Sequence, residues 1–116
     1  MNAIDIKFVN QRLTSLIHRC LDAELLKTAL FYAERLFALD GTNHESRHLL
    51  SKVMLKLDQP HSALHLVTRP QDDPCAGCLF MAAKCNEKLL RPRKAKDLMT
   101  AALGIMSANS ERAQGL

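Results

Sequence analysis

The 116-residue sequence contains no tryptophan, one tyrosine, four glycines and four prolines. This shortage of turn-forming residues excludes a sandwich or barrel in which the chain reverses about every ten residues. Because aromatic side chains are scarce, a core must be built from leucine, alanine, methionine and valine, a mixture that favours helices. The longest uninterrupted apolar stretch, Cys78 to Ala83, is far too short to span a membrane. We therefore predict an all-α domain with no membrane partner.

The charge balance is mildly basic, with 16 basic residues, 12 acidic residues and a net charge of +4. A nucleic-acid partner is not predicted, because the sequence has neither a long basic run nor the aromatic side chains that stack on bases. The start of the chain lacks a basic segment followed by an apolar run, so no secretory signal is expected. The four cysteines are therefore expected to be reduced thiols in a protein of the nucleus and cytoplasm.

Apolar residues recur at helical spacing in six segments, which predicts six helices. Residues that cap, turn or break a helix separate each segment from the next. The segments span roughly residues 5–20, 22–39, 44–57, 60–67, 75–89 and 92–106. Residues 1–106 are therefore the predicted domain, and residues 107–116 are a predicted frayed tail or the start of a linker.

Individual residues mark several of the predicted helix ends. Gly41 is expected to take the left-handed conformation that closes the second helix. Asn43 and Asp58 are the predicted caps of the third and fourth helices, and Pro60 fits the first turn of the fourth. The segment 69–74, which contains two prolines and two aspartates, is the clearest break in the chain.

Three alanines mark an internal repeat, since Ala29, Ala63 and Ala95 follow one another at intervals close to the tetratricopeptide period of about 34 residues. The alternation of helix and turn matches the same pattern, in which small residues let the two helices of a pair approach closely. Ile17 departs from the pattern because it is large. The sequence thus predicts about three tetratricopeptide helix pairs. The residues predicted to pack them are Ile17, Ala29, Ser51, Ala63, Ala83 and Ala95.

Three segments carry a resemblance to a known family: Phe31 to Ala38, Leu49 with Leu50, and Leu79 to Cys85. Across roughly residues 17–103 the chain resembles the N-terminal domain of the cell-division-cycle twenty-seven subunits of the anaphase-promoting complex, or cyclosome. The resemblance implies a scaffold that homodimerises within a large ubiquitin ligase of the mitotic cell cycle. It implies protein binding to other subunits of that complex, with neither catalysis nor a cofactor.

Some apolar residues lie outside the core-facing stripes of their helices. Ile4 and Phe8 project roughly opposite the stripe of the first helix, and Phe31 lies among charged residues on the second. Such residues are either stray surface hydrophobes, which are common, or part of a surface that packs against a second copy of the chain. The predicted dimer interface consists of Ile4, Phe8, Phe31, Phe37 and Leu39.

The alternative function is a free-standing adaptor that binds a peptide in the concave groove of the repeats. Basic and amide side chains on the first helix of each pair would recognise an acidic peptide end. The candidates on those helices are few: Arg12, Lys84 and Asn86.

A basic cluster begins the sixth helix, where the helix dipole disfavours positive charge. It is either a patch for an acidic partner or a solvated basic turn. The cluster consists of Arg91, Arg93, Lys94 and Lys96.

Two histidine pairs have the spacing of metal ligands on a helix. His44 and His48 frame an H-E-x-x-H sequence, the pattern of zinc proteases, but no later motif supplies a clear third ligand. Both imidazoles are expected on the solvent face, because Leu50 and its apolar neighbours define the buried face. His61 and His65 are likewise expected to be solvated. A small metal-dependent enzyme is thus left as a third hypothesis.

Cys75 and Cys78 form a C-x-x-C pair, and Cys85 follows seven residues later. A zinc site would need further ligands, usually from a second C-x-x-C or an H-x3-H, and a redox pair would need a βαβ context. Cys78 and Cys85 share a helix face, so we interpret them as small buried hydrophobes, with Cys75 at the helix start. No metal ion or cofactor is predicted.

Overall fold

The computed structural model describes residues 3–68 and 75–114, and the side chains of residues 5–68 and 75–112. This part of the chain forms six helices and no strand. The predicted break at residues 69–74 lies outside the described residues. The helices are α1 (Ala3–Asp22), α2 (Leu26–Leu39), α3 (His44–Lys56), α4 (Pro60–Val67), α5 (Ala76–Lys88) and α6 (Pro92–Gln114).

The helices form three consecutive pairs that stack side by side. The pairs are α1 with α2, α3 with α4, and α5 with α6. The second helix of each pair contacts the first helix of the next, and the first helices also contact one another along the stack. This arrangement confirms the predicted all-α fold of three tetratricopeptide-like helix pairs. Within the residues described, none of the helices has the length and hydropathy needed to cross a bilayer.

Local capping explains where three of the helices begin. The side chain of Asn43 accepts a hydrogen bond of 2.8 Å from the backbone N–H of Glu45, which confirms the predicted cap of α3. Pro60 occupies the first turn of α4 as predicted, and Gln59 takes the cap position. Cys75 caps α5 through its sulfur, which accepts from the N–H of Cys78.

Two helix ends differ from the prediction. Helix α1 continues to Asp22 and α2 starts at Leu26, so the predicted start of α2 at residue 22 is wrong. Helix α6 continues past Met106 to Gln114, because the residues in between include good helix formers and neither glycine nor proline. The division into a domain of residues 1–106 and a tail or linker of residues 107–116 stays a prediction.

The same backbone turn ends the first helix of every pair. Glu24, Asp58 and Leu90 take left-handed conformations with φ of 58°, 61° and 59°, and they recur at the same intervals as the three alanines of the repeat. The residue after each donates its N–H to a carbonyl five residues back, at 2.8 to 2.9 Å, which is the Schellman arrangement. Asp58 therefore ends α3 rather than capping α4 as predicted. The repeated turn gives the stack its period.

Gly41 does not take the predicted left-handed conformation, since no glycine in the described residues has a positive φ. Helix α2 instead ends at Asp40, whose side chain organises the connection to α3. Its carboxylate accepts hydrogen bonds from Thr42 at 3.2 Å and from Asn43 at 3.4 Å. Its backbone carbonyl accepts from the hydroxyl of Ser46 at 2.6 Å. Side-chain hydrogen bonds therefore replace the expected glycine turn.

Two apolar clusters form the core. The first joins α1, α2 and α3, and the second joins the end of α4 to α5. Ser51 links the helices of the second pair, because its hydroxyl donates to the backbone carbonyl of Ala63 at 3.0 Å. The six residues predicted to pack the pairs are all buried, with exposed fractions of 4% or less: Ile17, Ala29, Ser51, Ala63, Ala83 and Ala95.

Candidate functional site

Two exposed phenylalanines lie on the first helix pair. Phe8 on α1 is 62% exposed and Phe31 on α2 is 51% exposed. The ring of Phe31 meets that of Tyr32 edge-on at 5.5 Å, and the guanidinium of Arg35 lies 4.1 Å from its centroid. These contacts hold the Phe31 ring in place while leaving half of its surface open.

The other residues of the predicted dimer interface offer less exposed apolar surface in the described structure. Phe37 is half-buried and packs against the apolar cluster of the first three helices, and Leu39 is also half-buried. The side chain of Ile4 lies outside the described residues. Phe8 and Phe31 are therefore the two predicted interface residues that offer large apolar surface in the described structure.

A groove of about 500 Å³ runs along the first helices of the three pairs. Three lysines line it: Lys52 and Lys56 on α3 and Lys84 on α5. The ammonium of Lys84 lies 5.1 Å from the ring centroid of Phe80, which also lines the groove. The groove is thus basic with an aromatic wall, a combination suited to an acidic peptide.

Only one of the three predicted groove residues lines this groove. Lys84 does, whereas Arg12 is exposed on α1 away from it. Asn86 is buried, and its amide donates to the carbonyl of Ala82 at 2.8 Å. The prediction for Asn86 is wrong because α5 turns that side chain into the packed interior. Sequence reasoning missed Lys52 and Lys56, which share a helix face at the spacing i and i+4.

His44 and His48 do not lie on the solvent face of α3 as predicted. Both are half-buried and face the start of α5. The Nδ1 atom of His44 lies 3.6 Å from the sulfur of Cys78, and Nε2 of His48 lies 3.7 Å from the sulfur of Cys75. The prediction failed because α3 packs against both α4 and α5, so helices cover more than one side of it.

Burial and the surrounding charges favour a neutral imidazole at His48. Burial lowers the pKa of His48 below its ordinary value of 6.5, and nearby His44 and Arg47 lower it further against the opposing effect of Glu45. The buried guanidinium of Arg47 contacts Nδ1 of His44 at 2.9 Å. A guanidinium only donates, so this nitrogen carries the lone pair.

Cys20, Cys85, His61 and His65 lie apart from this histidine–cysteine cluster. Cys20 and Cys85 are buried free thiols, and burial raises the pKa of Cys85 against an opposing hydrogen bond from Ser51. His61 and His65 are exposed on α4. The burial of Cys78 and Cys85 agrees with the interpretation from the sequence, but that interpretation did not place Cys78 beside a histidine.

The basic cluster at the start of α6 is exposed on the outside of the third pair. Arg91, Arg93, Lys94 and Lys96 are all exposed. Exposure is required both of a patch for an acidic partner and of a solvated turn, so both interpretations of the cluster stay open.

Similarity to one protein family covers most of the chain. The family model described as anaphase-promoting complex, cyclosome, subunit 3 matches residues 22–102. The matched residues run from the end of α1 into α6 and contain the second and third helix pairs up to that point. None of the curated proteins in the comparison matches the chain. The helix pairs and the match together show that the chain belongs to the anaphase-promoting complex subunit 3 family.

Proposed function

We propose that this chain is a non-catalytic scaffold module that homodimerises within a multisubunit ubiquitin ligase, the anaphase-promoting complex. In this proposal it acts in the mitotic cell cycle, in the nucleus and cytoplasm, and contacts other subunits of the complex. Membership of the subunit 3 family supports the assignment to the complex. The exposed aromatic surface of the first helix pair supports dimerisation, and it is the observation on which the proposal depends.

The exposed surface of Phe8 and Phe31 is large enough to matter energetically. Full burial of a phenylalanine side chain contributes about 1.5–3 kcal/mol, so covering the open half of each ring contributes about 1 kcal/mol or more. A two-fold symmetric interface buries each residue twice. Both rings in both copies would then contribute about 3–6 kcal/mol, before the cost of association.

Size-exclusion chromatography with light scattering, run on the full chain at micromolar concentration, tests the dimer. We expect a dimer mass for the unchanged chain and a monomer mass for the double variant Phe8→Glu, Phe31→Glu. Phe80→Glu is the matched control, because Phe80 is also an exposed phenylalanine with a cation over its ring, but it lies in the groove. It should leave the dimer intact.

Circular dichroism of each variant separates an interface from a core. Helix content should be the same in all variants, since Phe8 and Phe31 are both exposed. A monomer mass for the unchanged chain would refute the dimer, as would a dimer that survives both glutamate substitutions.

Peptide binding in the groove is a second candidate function, favoured by the three lysines and Phe80. An acidic peptide immobilised on beads should retain the unchanged chain but not the double variant Lys52→Glu, Lys84→Glu. The Phe31→Glu variant should still be retained, because Phe31 lies on α2 outside the groove. The two functions therefore respond to different substitutions, and equal retention of all three proteins would exclude the groove.

A further inference from the structure

We propose that His44, His48, Cys75 and Cys78 form a tetrahedral zinc site that ties α3 to the start of α5. The proposal is independent of the scaffold function. The ligand atoms of His44, Cys75 and Cys78 all lie within 4.8 Å of one another. His48 would be the fourth ligand. Its Nε2 atom lies 3.7 Å from the sulfur of Cys75 but outside the group of three, so its imidazole would turn toward the other ligands when the ion binds.

Two of the distances between ligand atoms agree with a tetrahedral zinc ion. Zinc bonds to sulfur at about 2.3 Å and to histidine nitrogen at about 2.0–2.1 Å, so adjacent sulfur and nitrogen ligands lie about 3.5 Å apart. The two sulfur–nitrogen separations are 3.6 Å for Cys78 with His44 and 3.7 Å for Cys75 with His48. Each histidine thus lies beside a different cysteine at the sulfur–nitrogen spacing found in a zinc site.

The donor set is also that of structural zinc sites. Two thiolates and two neutral imidazoles neutralise the ion and leave no open position for a substrate. The C-x-x-C pair and the H-x3-H pair each supply half of the set, from α5 and α3 respectively. The proposed site is therefore structural and joins the second helix pair to the third.

The start of α5 holds the two cysteines close together. The sulfur of Cys75 caps the helix and accepts a hydrogen bond from the backbone N–H of Cys78 at 3.5 Å. The cation of Arg47 lies on the other side, 2.9 Å from Nδ1 of His44. Zinc would take the lone pair of His44 Nδ1 that Arg47 now contacts, so this hydrogen bond would break when the ion binds.

The close packing of Gly77 against His48 is a second, independent observation that supports the site. A Cβ atom at this position would lie 2.5 Å from Cε1 and 2.8 Å from Nε2 of His48. Such distances are far inside van der Waals contact, so the imidazole occupies space that only glycine leaves free. Gly77, which lies between Cys75 and Cys78 in the sequence, thus leaves the space that the His48 ring occupies.

Metal analysis of the full chain, purified with a reducing agent and dialysed against metal-free buffer, tests the site. We expect one zinc ion per chain. The substitutions His44→Ala, Cys75→Ser and Cys78→Ser should each lower zinc affinity by more than about 100-fold, since losing a residue that merely orients a ligand already costs about 10- to 100-fold. The double variant His61→Ala, His65→Ala is the matched control and should keep its zinc, because that exposed pair lies on α4.

Two measurements on the unchanged chain keep the test decisive if a ligand variant fails to fold. Cobalt added to the metal-free protein should produce the thiolate charge-transfer and ligand-field bands of a tetrahedral site. Zinc should slow alkylation of Cys75 by more than about tenfold and leave Cys20, which lies outside the cluster, unchanged. A chain that holds no zinc and shows no cobalt bands would overturn the proposal. So would alkylation of Cys75 at the same rate with and without zinc.

Discussion

The substitution Gly77→Ala probes how tightly the start of α5 is fitted to His48. The new methyl group would lie 2.5 Å from the nearest ring atom, whereas ordinary contact begins at 3.4 Å, so the imidazole must move by nearly 1 Å. The three nearest atoms all belong to the His48 side chain and none to the backbone. We therefore expect the ring to swing away while α3 and α5 keep their positions.

Two opposing energies set the size of the effect. Replacing glycine by alanine in a helix stabilises the folded chain by about 0.5–1 kcal/mol. Forcing a packed side chain to move costs about 1–3 kcal/mol. Gly77→Ala should therefore be neutral or destabilising by up to about 2 kcal/mol when His48 is present. In the His48→Ala background the clash is absent, and the same substitution should stabilise by about 0.5–1 kcal/mol.

Urea unfolding of the two single variants, the double variant and the unchanged chain, all in the presence of a chelator, measures this coupling. We expect a coupling energy of about 1–3 kcal/mol between positions 48 and 77. Gly104→Ala is the matched control, since its Cβ would meet nothing within 4 Å and the residue lies in the middle of α6. It should stabilise both backgrounds equally. Additive effects at positions 48 and 77 would refute the packing described here.

Three further predictions concern stability. Leu90→Gly should raise the free energy of unfolding, measured in urea, by about 0.5–1 kcal/mol, because Leu90 is 87% exposed and is strained by a left-handed φ of 59°. The control Leu90→Ala should not raise it, because alanine keeps the Cβ atom that causes the strain. Ser51→Ala should lower it by about 1 kcal/mol, since the buried hydrogen bond to the carbonyl of Ala63 is lost; an unchanged midpoint would contradict this role. The raised pKa of Cys85 means that the folded chain holds this thiol proton more tightly than the unfolded chain does. The free energy of unfolding should therefore fall as pH rises above 9.0, and Cys85→Ala should make this fall with pH less steep.

The helices and their period could be predicted because both are local properties of the sequence. Apolar spacing locates each helix, and the regular recurrence of Ala29, Ala63 and Ala95 gives the repeat. The turns were missed for a physical reason. Glu24, Asp58 and Leu90 carry side chains that disfavour a positive φ, so propensity alone points to Gly41. Packing of the helix pairs overrides propensity three times at the same place in the repeat.

The histidine–cysteine cluster was missed because the two motifs were judged separately. Each lacks a partner within its own helix, and the partner lies in the next repeat: His44 and Cys78 are 34 residues apart, and α3 and α5 begin 32 residues apart. His44 is the first residue of α3 and Cys78 is the third residue of α5, so both lie in the first turns of neighbouring first helices, which contact one another. Aligning the repeats with one another would therefore have placed His44 and Cys78 close together.

The same register extends one period back and shows why the cluster forms at only one junction of the described helices. Asn10 on α1 lies one period before His44, and its amide donates to the carboxylate of Asp40 at 3.4 Å. An amide in that position offers no ligand comparable to a thiolate or imidazole, so it contributes a hydrogen bond beside the apolar cluster that joins α1, α2 and α3. The junction of the second and third pairs instead brings His44 to Cys78. The repeat determines which positions of neighbouring helices contact one another. The residue types at those positions determine whether the contact can offer ligands to a metal ion.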